Sequence, residues 1–108
     1  MKWTVETLDK TVDAELAELP PDMRAKFSHI AFLIESVGLE CVGEPHVKHV
    51  EDVLWEIRMI GRDGIARALY VTVTGKRVVV VRVFIKKTQK TPRHEIKLSL
   101  GRARNILK

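Results

Sequence analysis

Between Leu54 and Ile85 the order of residues leaves one economical solution, a run of paired strands. Trp55, Ile57 and Met59 alternate with Glu56 and Arg58, which puts successive side chains on opposite faces of an extended strand. The turn Gly61-Arg62-Asp63-Gly64 follows, and Ile65 to Thr74 returns as a second strand. A second turn, Thr74-Gly75-Lys76, leads into Val78 to Ile85, whose β-branched run predicts a central strand covered on one face by helices. Three consecutive strands joined by short turns predict an antiparallel meander.

The flanking segments supply the cover. Lys2 to Glu6 reads as a short strand. Leu8, Val12, Leu16 and Leu19 recur at helical spacing up to Pro20-Pro21, and Met23, Phe27, Ile30, Ile34 and Val37 form a second stripe ending at Gly38. Residues 39–53 read as a connector. A last helix is expected from Pro92 to about Leu107, capped by Thr91, with Ile96, Leu100, Ala103 and Leu107 on one stripe. The expected order is βααβββα, a single compact α+β domain over 1–108 with a curved antiparallel sheet packed by helices.

Charge divides this chain sharply. Residues 1–55 carry 5 Lys/Arg against 11 Asp/Glu, a net of −6, whereas residues 56–108 carry 14 against 3, a net of +11. Folding one half against the other neutralises only part of that excess, so a basic side facing a polyanion is expected. The lone Cys41 can form no internal disulfide, which points to a reducing cytoplasm. No secretory core and no apolar run of membrane-spanning length is present. Cys41, His46 and His49 are close in sequence, but their spacing matches no standard zinc-ligand pair, so no metal is expected.

The cations concentrate in Phe84 to Glu95, where a strand end, a polar loop and a helix start bring together Lys86, Lys87, Lys90, Arg93 and His94. Such a cluster repels itself unless an anion sits before it, and phosphate is the expected one. Glu56 and Arg58 share one strand face. Arg67 stands in an apolar strand, so it either pairs with an acid such as Glu56 or projects into a cleft. Arg82, among valines, reads as structurally paired.

No Gly-rich phosphate loop, no Gly-x-Ser-x-Gly, no His-Glu-x-x-His and no acid pair suited to two-metal nuclease chemistry occurs in the basic half. A nuclease so built must draw its nucleophile from the substrate, and RNA offers its 2′-hydroxyl. Arginine and lysine then supply charge to the phosphorane, while His94 or a lysine of lowered pKa moves the proton.

Leu54-Trp55-Glu56-Ile57-Arg58, Arg67-Ala68-Leu69-Tyr70 and Phe84-Ile85-Lys86-Lys87-Thr88-Gln89-Lys90-Thr91-Pro92 resemble the phage-derived, HigB-like branch of the RelE toxin superfamily. The corner Leu19-Pro20-Pro21-Asp22-Met23-Arg24-Ala25-Lys26 and the stretch from Gly43-Glu44-Pro45 through Lys48-His49 resemble it too. The resemblance implies a microbial RNase-like fold and the toxin of a type II toxin–antitoxin system. Its expected activity is that of a ribosome-dependent, metal-independent mRNA endonuclease (an mRNA interferase) with no cofactor. It further implies a helix-turn-helix, HigA-like antitoxin, with ribosome and mRNA as the other partners and no membrane. Carried over by position, the catalytic candidates are Arg58, Arg67, Lys86, Lys87 and His94, and the RNA-binding candidates are Gln89, Lys90, Arg93 and Lys97. Some superfamily members use a tyrosine near the C-terminus; here the only tyrosine is Tyr70, in a strand. Two other readings stay open: a non-catalytic RNA- or ribosome-binding module, and an interaction protein whose basic face holds an acidic partner.

Overall fold

The computed structural model describes residues 2–86 and 90–107. Among them the order is β1 (Thr4–Thr7), α1 (Lys10–Ala17), α2 (Pro21–Val37), β2 (Val47–Glu51), β3 (Leu54–Gly61), β4 (Gly64–Val73), β5 (Arg77–Lys86) and α3 (Arg93–Ala103). A single 3₁₀ turn, Leu39–Cys41, follows α2. The meander expected from the alternation is β3-β4-β5, paired antiparallel throughout.

Two features depart from the expected order. The segment read as a connector contains β2, which pairs antiparallel with β3 and forms one edge of the sheet. At the other edge β1 lies parallel to β5, so the sheet is mixed, in the order β1-β5-β4-β3-β2. Both follow from tertiary pairing, since a four-residue strand and a charged edge strand are stabilised mainly by the neighbour they join.

Local chemistry sets the helix ends. The Asp9 side chain accepts from the Val12 N–H at 3.1 Å and caps α1. Pro21 occupies the first turn of α2, where a missing N–H costs nothing, and Gly38, at φ 94°, stops that helix. Thr91 does not cap α3: Pro92 takes the cap position, no side chain bonds there, and the helix proper begins at Arg93.

The sheet is covered on both faces. Helices α1 and α2 pack Val12, Met23, Ile30 and Ile34 against Ile57, Met59, Ala68, Tyr70 and Val80. On the opposite face α3 packs Ile96 and Ala103 against Leu54, Leu69, Val71, Val81 and Phe84. A bulge between Leu69 and Tyr70 pairs these with Arg82 and Val80, so consecutive Val81 and Arg82 both turn towards α3. Arg82 is clamped there by Glu95 at 2.7 Å and by Glu15 of α1 at 2.9 Å, as its position among valines led us to expect. Because α3 crosses only part of its face, the sheet floor beyond its first turn stays open.

Candidate anion-binding cleft

On the α3 face, where β2, β3 and β4 run past the start of α3, lies an open cavity of about 570 Å³. Its floor is built by strand register. Arg58 and Arg67 are directly opposed across β3 and β4, and Lys48 is directly opposed to Glu56 across β2 and β3. Like charges placed opposite one another destabilise a sheet, so the Arg58–Arg67 pair calls for a physical reason. Glu56 supplies part of it by accepting from Arg67 Nη1 in a buried ion pair. Even so, the Nε–H groups of both Arg58 and Arg67 are buried without a hydrogen-bond partner among the described residues. Orphaned charged donors are costly and rare in native structures, and they mark a site short of negative charge.

Lys86 adds to the shortage. It is 6 % exposed and opposes Ile65, two residues along β4 from Arg67 and on the same face. Burial pushes its ammonium pKa below the ordinary lysine value; Arg67, Arg58 and Lys48 push the same way, and Glu56 opposes them. At the rim Arg93 makes a bidentate pair with Glu51, at 2.6 and 2.8 Å, which holds the Glu51 carboxyl below its usual range. Lys90, Thr91 and Ile96 complete the wall on the α3 side.

Of the residues expected at a site, the cleft brings together Arg58, Arg67, Lys90 and Arg93, with Lys86 in electrostatic contact. Lys87 and Gln89 lie outside the described residues. His94 is not drawn in: its side chain is 79 % exposed, 3.7 Å from Glu95, and does not line the cleft. Lys97 is also exposed, on α3 beyond the lining. Arg67 resolves both ways, since it pairs with Glu56 and lines the cleft. Lys48 and Glu51 are lining residues that the sequence reading passed over, because β2 was taken as connector. Tyr70 lies on the other face, fully buried, with its hydroxyl pKa pushed up by burial, so it supplies no group to this cleft.

This mixed sheet, with a helical pair on one face and a short helix on the other, is the fold of RelE toxins. The structure is similar to an E. coli RelE toxin mutant in the free state, with a TM-score of 0.62 and 14 % identity over 99 % of this chain and 100 % of that one. It is also similar to the archaeal RelE–RelB complex from Pyrococcus horikoshii OT3, with a TM-score of 0.59 and 19 % identity over 79 % of this chain and 96 % of that one. No curated protein sequence matches. Residues 14–104 match the family described as phage derived protein Gp49-like (DUF891), and the chain belongs to that family, one of RelE/HigB-type toxins.

Proposed function

We propose that this chain, acting as one domain, is the toxin of a type II toxin–antitoxin pair that stops translation by cutting ribosome-bound mRNA in the cytoplasm. The observation that carries the reading is the opposed Arg58–Arg67 pair, whose buried Nε–H groups lack partners among the described residues and whose excess charge Glu56 only partly offsets. A phosphodiester seated there has arginine on both sides of the atom that becomes a phosphorane. Guanidinium groups fixed before the reaction stabilise that charge with no reorganisation during it. Attack by the adjacent 2′-hydroxyl needs no metal, and the buried ammonium of Lys86, with its lowered pKa, is suited to give the departing 5′-oxygen its proton.

Lys90 and Arg93 then hold flanking phosphates, and the resemblance assigns Lys87 and Gln89 to the same loop. His94 and Lys97 stand outside the cleft, which suits contact with ribosomal RNA better than proton transfer. Two lines favour an antitoxin partner: the RelE–RelB complex among the similar structures and the sequence resemblance, which makes it a HigA-like helix-turn-helix protein.

The test is expression of the chain alone, followed by primer extension on a reporter mRNA in a purified translation system with and without ribosomes. Discrete ribosome-dependent cuts ending in 2′,3′-cyclic phosphate and lost in Arg58→Ala are expected. Intact mRNA together with tight ribosome binding would leave a non-catalytic ribosome-binding module instead.

A further inference from the structure

The reaction proposed above needs a group to take the proton from the attacking 2′-hydroxyl, and His94, the side chain named for proton transfer from sequence, stands outside the cleft. We propose that Glu56 is that general base; the assignment rests on the RNA-cleavage reading and deepens it. Glu56 is the one carboxylate on the sheet floor among the described residues lining the cleft, opposed to Lys48, two residues from Arg58 on the same face, and bonded to Arg67. In RNA the 2′-oxygen and the phosphate it attacks are near neighbours. A base must therefore lie beside the arginines that hold the phosphate, and Glu56 touches Arg67 itself.

The other proton acceptors among the described residues are less well placed. Glu51 has both oxygens bound to Arg93 at the exposed rim. His49 borders the cleft, but its Nε2 donates to the Asp52 carbonyl at 2.8 Å and its ring rests edge-on against Trp55, its cross-strand partner, which holds it away from the arginine pair. His94 is outside the cleft and Tyr70 is behind the sheet. The Glu56–Arg67 bond has a matching role in the free protein. It gives Arg67 a counter-ion until an RNA phosphate arrives to share that guanidinium, which leaves the carboxylate beside the ribose.

The step balances. As the 2′-oxygen bonds to phosphorus, its proton passes to a Glu56 carboxylate oxygen. The P–O5′ bond breaks, its electron pair leaves with the 5′-oxygen, and that oxygen takes a proton from the Lys86 ammonium. The products are a 2′,3′-cyclic phosphate and a 5′-hydroxyl, and solvent returns the proton from Glu56 to Lys86.

Single-turnover cleavage of ribosome-bound mRNA is compared with binding of the same mRNA carrying a 2′-deoxy sugar at the cut site. Glu56→Gln keeps an oxygen for Arg67 and is expected to lose about 100-fold or more in cleavage. Its binding of the 2′-deoxy message is expected to stay within about threefold of wild type. Cleavage within about tenfold of wild type, or a parallel loss of binding, overturns the assignment, the second by making Glu56 only a support for Arg67. If circular dichroism shows Glu56→Gln unfolded, Glu56→Asp decides. It retains the charge but withdraws it by one methylene, so cleavage about tenfold or more below wild type with intact binding is expected, and wild-type cleavage refutes. A wild-type chain that cuts nothing on ribosomes overturns the proposed function itself, and this assignment with it.

Discussion

The Glu56–Arg67 pair allows the charge economy of the cleft to be measured separately from its activity. Arg58 and Arg67 face each other in register, with Cβ atoms about 5 Å apart as in any cross-strand pair, so two like charges share one patch of the floor. Arg67 is 3 % exposed, so removing its counter-ion leaves a buried charge against a like one. Glu56→Leu is therefore expected to cost about 3–5 kcal/mol. Arg67→Met leaves the acid buried but still opposite Lys48 and near Arg58, which brings its cost down to about 1–3 kcal/mol. The double variant replaces the pair by apolar groups and should return to within about 1–2 kcal/mol of wild type or exceed it. Urea unfolding followed by tryptophan fluorescence reads all four proteins, with the slope m expected to stay constant. The double variant, though stable, should not arrest translation. Strict additivity of the two single costs, or a Glu56→Leu cost below about 1 kcal/mol, would refute this account of the pair.

Other perturbations test the scaffold and the cleft. A Cβ at Gly61 would sit 2.7 Å from Asp22 Oδ2 and 2.8 Å from Met23 Cγ, so Gly61→Ala should destabilise by about 1–3 kcal/mol in the same urea assay. Lys48→Ala should weaken ribosome binding and flatten its log–log salt dependence by about 0.7, the share of one single-stranded phosphate contact; an unchanged slope puts Lys48 outside the RNA path. Glu6, Asp22 and Glu51 are held below their ordinary ranges, chiefly by Arg77, the Arg62 N–H and Arg93 respectively. Depressed folded-state values stabilise the fold above the unfolded values of 4.5 and 3.8 and lose that effect as pH falls, so thermal unfolding should shift down in acid and Glu6→Gln should shift less. Lys86 has the opposite sign: its charged form is disfavoured in the fold, so Lys86→Met should raise the melting temperature at neutral pH. That gain should shrink as pH rises towards 10.5 and the folded lysine sheds its proton.

What could be read in advance follows the range of the forces involved. The β3-β4-β5 meander and α2 are specified by local alternation, turn residues and a glycine stop, and they stand where the pattern put them. Strand β2 escaped because Lys48, His49 and Glu51 give it the charged character of an edge, where the partner Leu54–Ile57 rather than intrinsic preference fixes extension. The parallel pairing of β1 with β5 joins Thr4 to Arg77 and leaves no periodic trace in either segment. The same division holds at the cleft. Arg67 was legible because a charge in an apolar strand needs a reason, and Arg58 because alternation put it on one face with Glu56. Lys48 and Glu51 were hidden with their strand, and His94 looked equivalent to Arg93 because sequence does not show which side of a helix start faces the sheet.

The opposed halves of the charge sequence divide into two populations of cations. The acidic half sends Glu6 to Arg77, Glu15 to Arg82 and Arg102, and Glu51 to Arg93, and within the basic half Glu95 joins the clamp on Arg82. These pairs fasten β1 to β5, α1 to α3 and β2 to α3, so Arg77, Arg82 and Arg102 are structural, while Glu51 anchors Arg93 at the cleft rim. On that floor one carboxylate faces several cations, and Arg58 and Lys48 have no ion-pair partner among the described residues. A surface made basic only for solubility would spread its cations apart in water, where repulsion is screened and cheap. Here the uncompensated charge is held half-buried, between strands in register, at the point where α3 leaves the sheet uncovered. That arrangement costs stability in the free protein and gains its return only when an anion enters, which is the physical case for reading the cleft as a binding site.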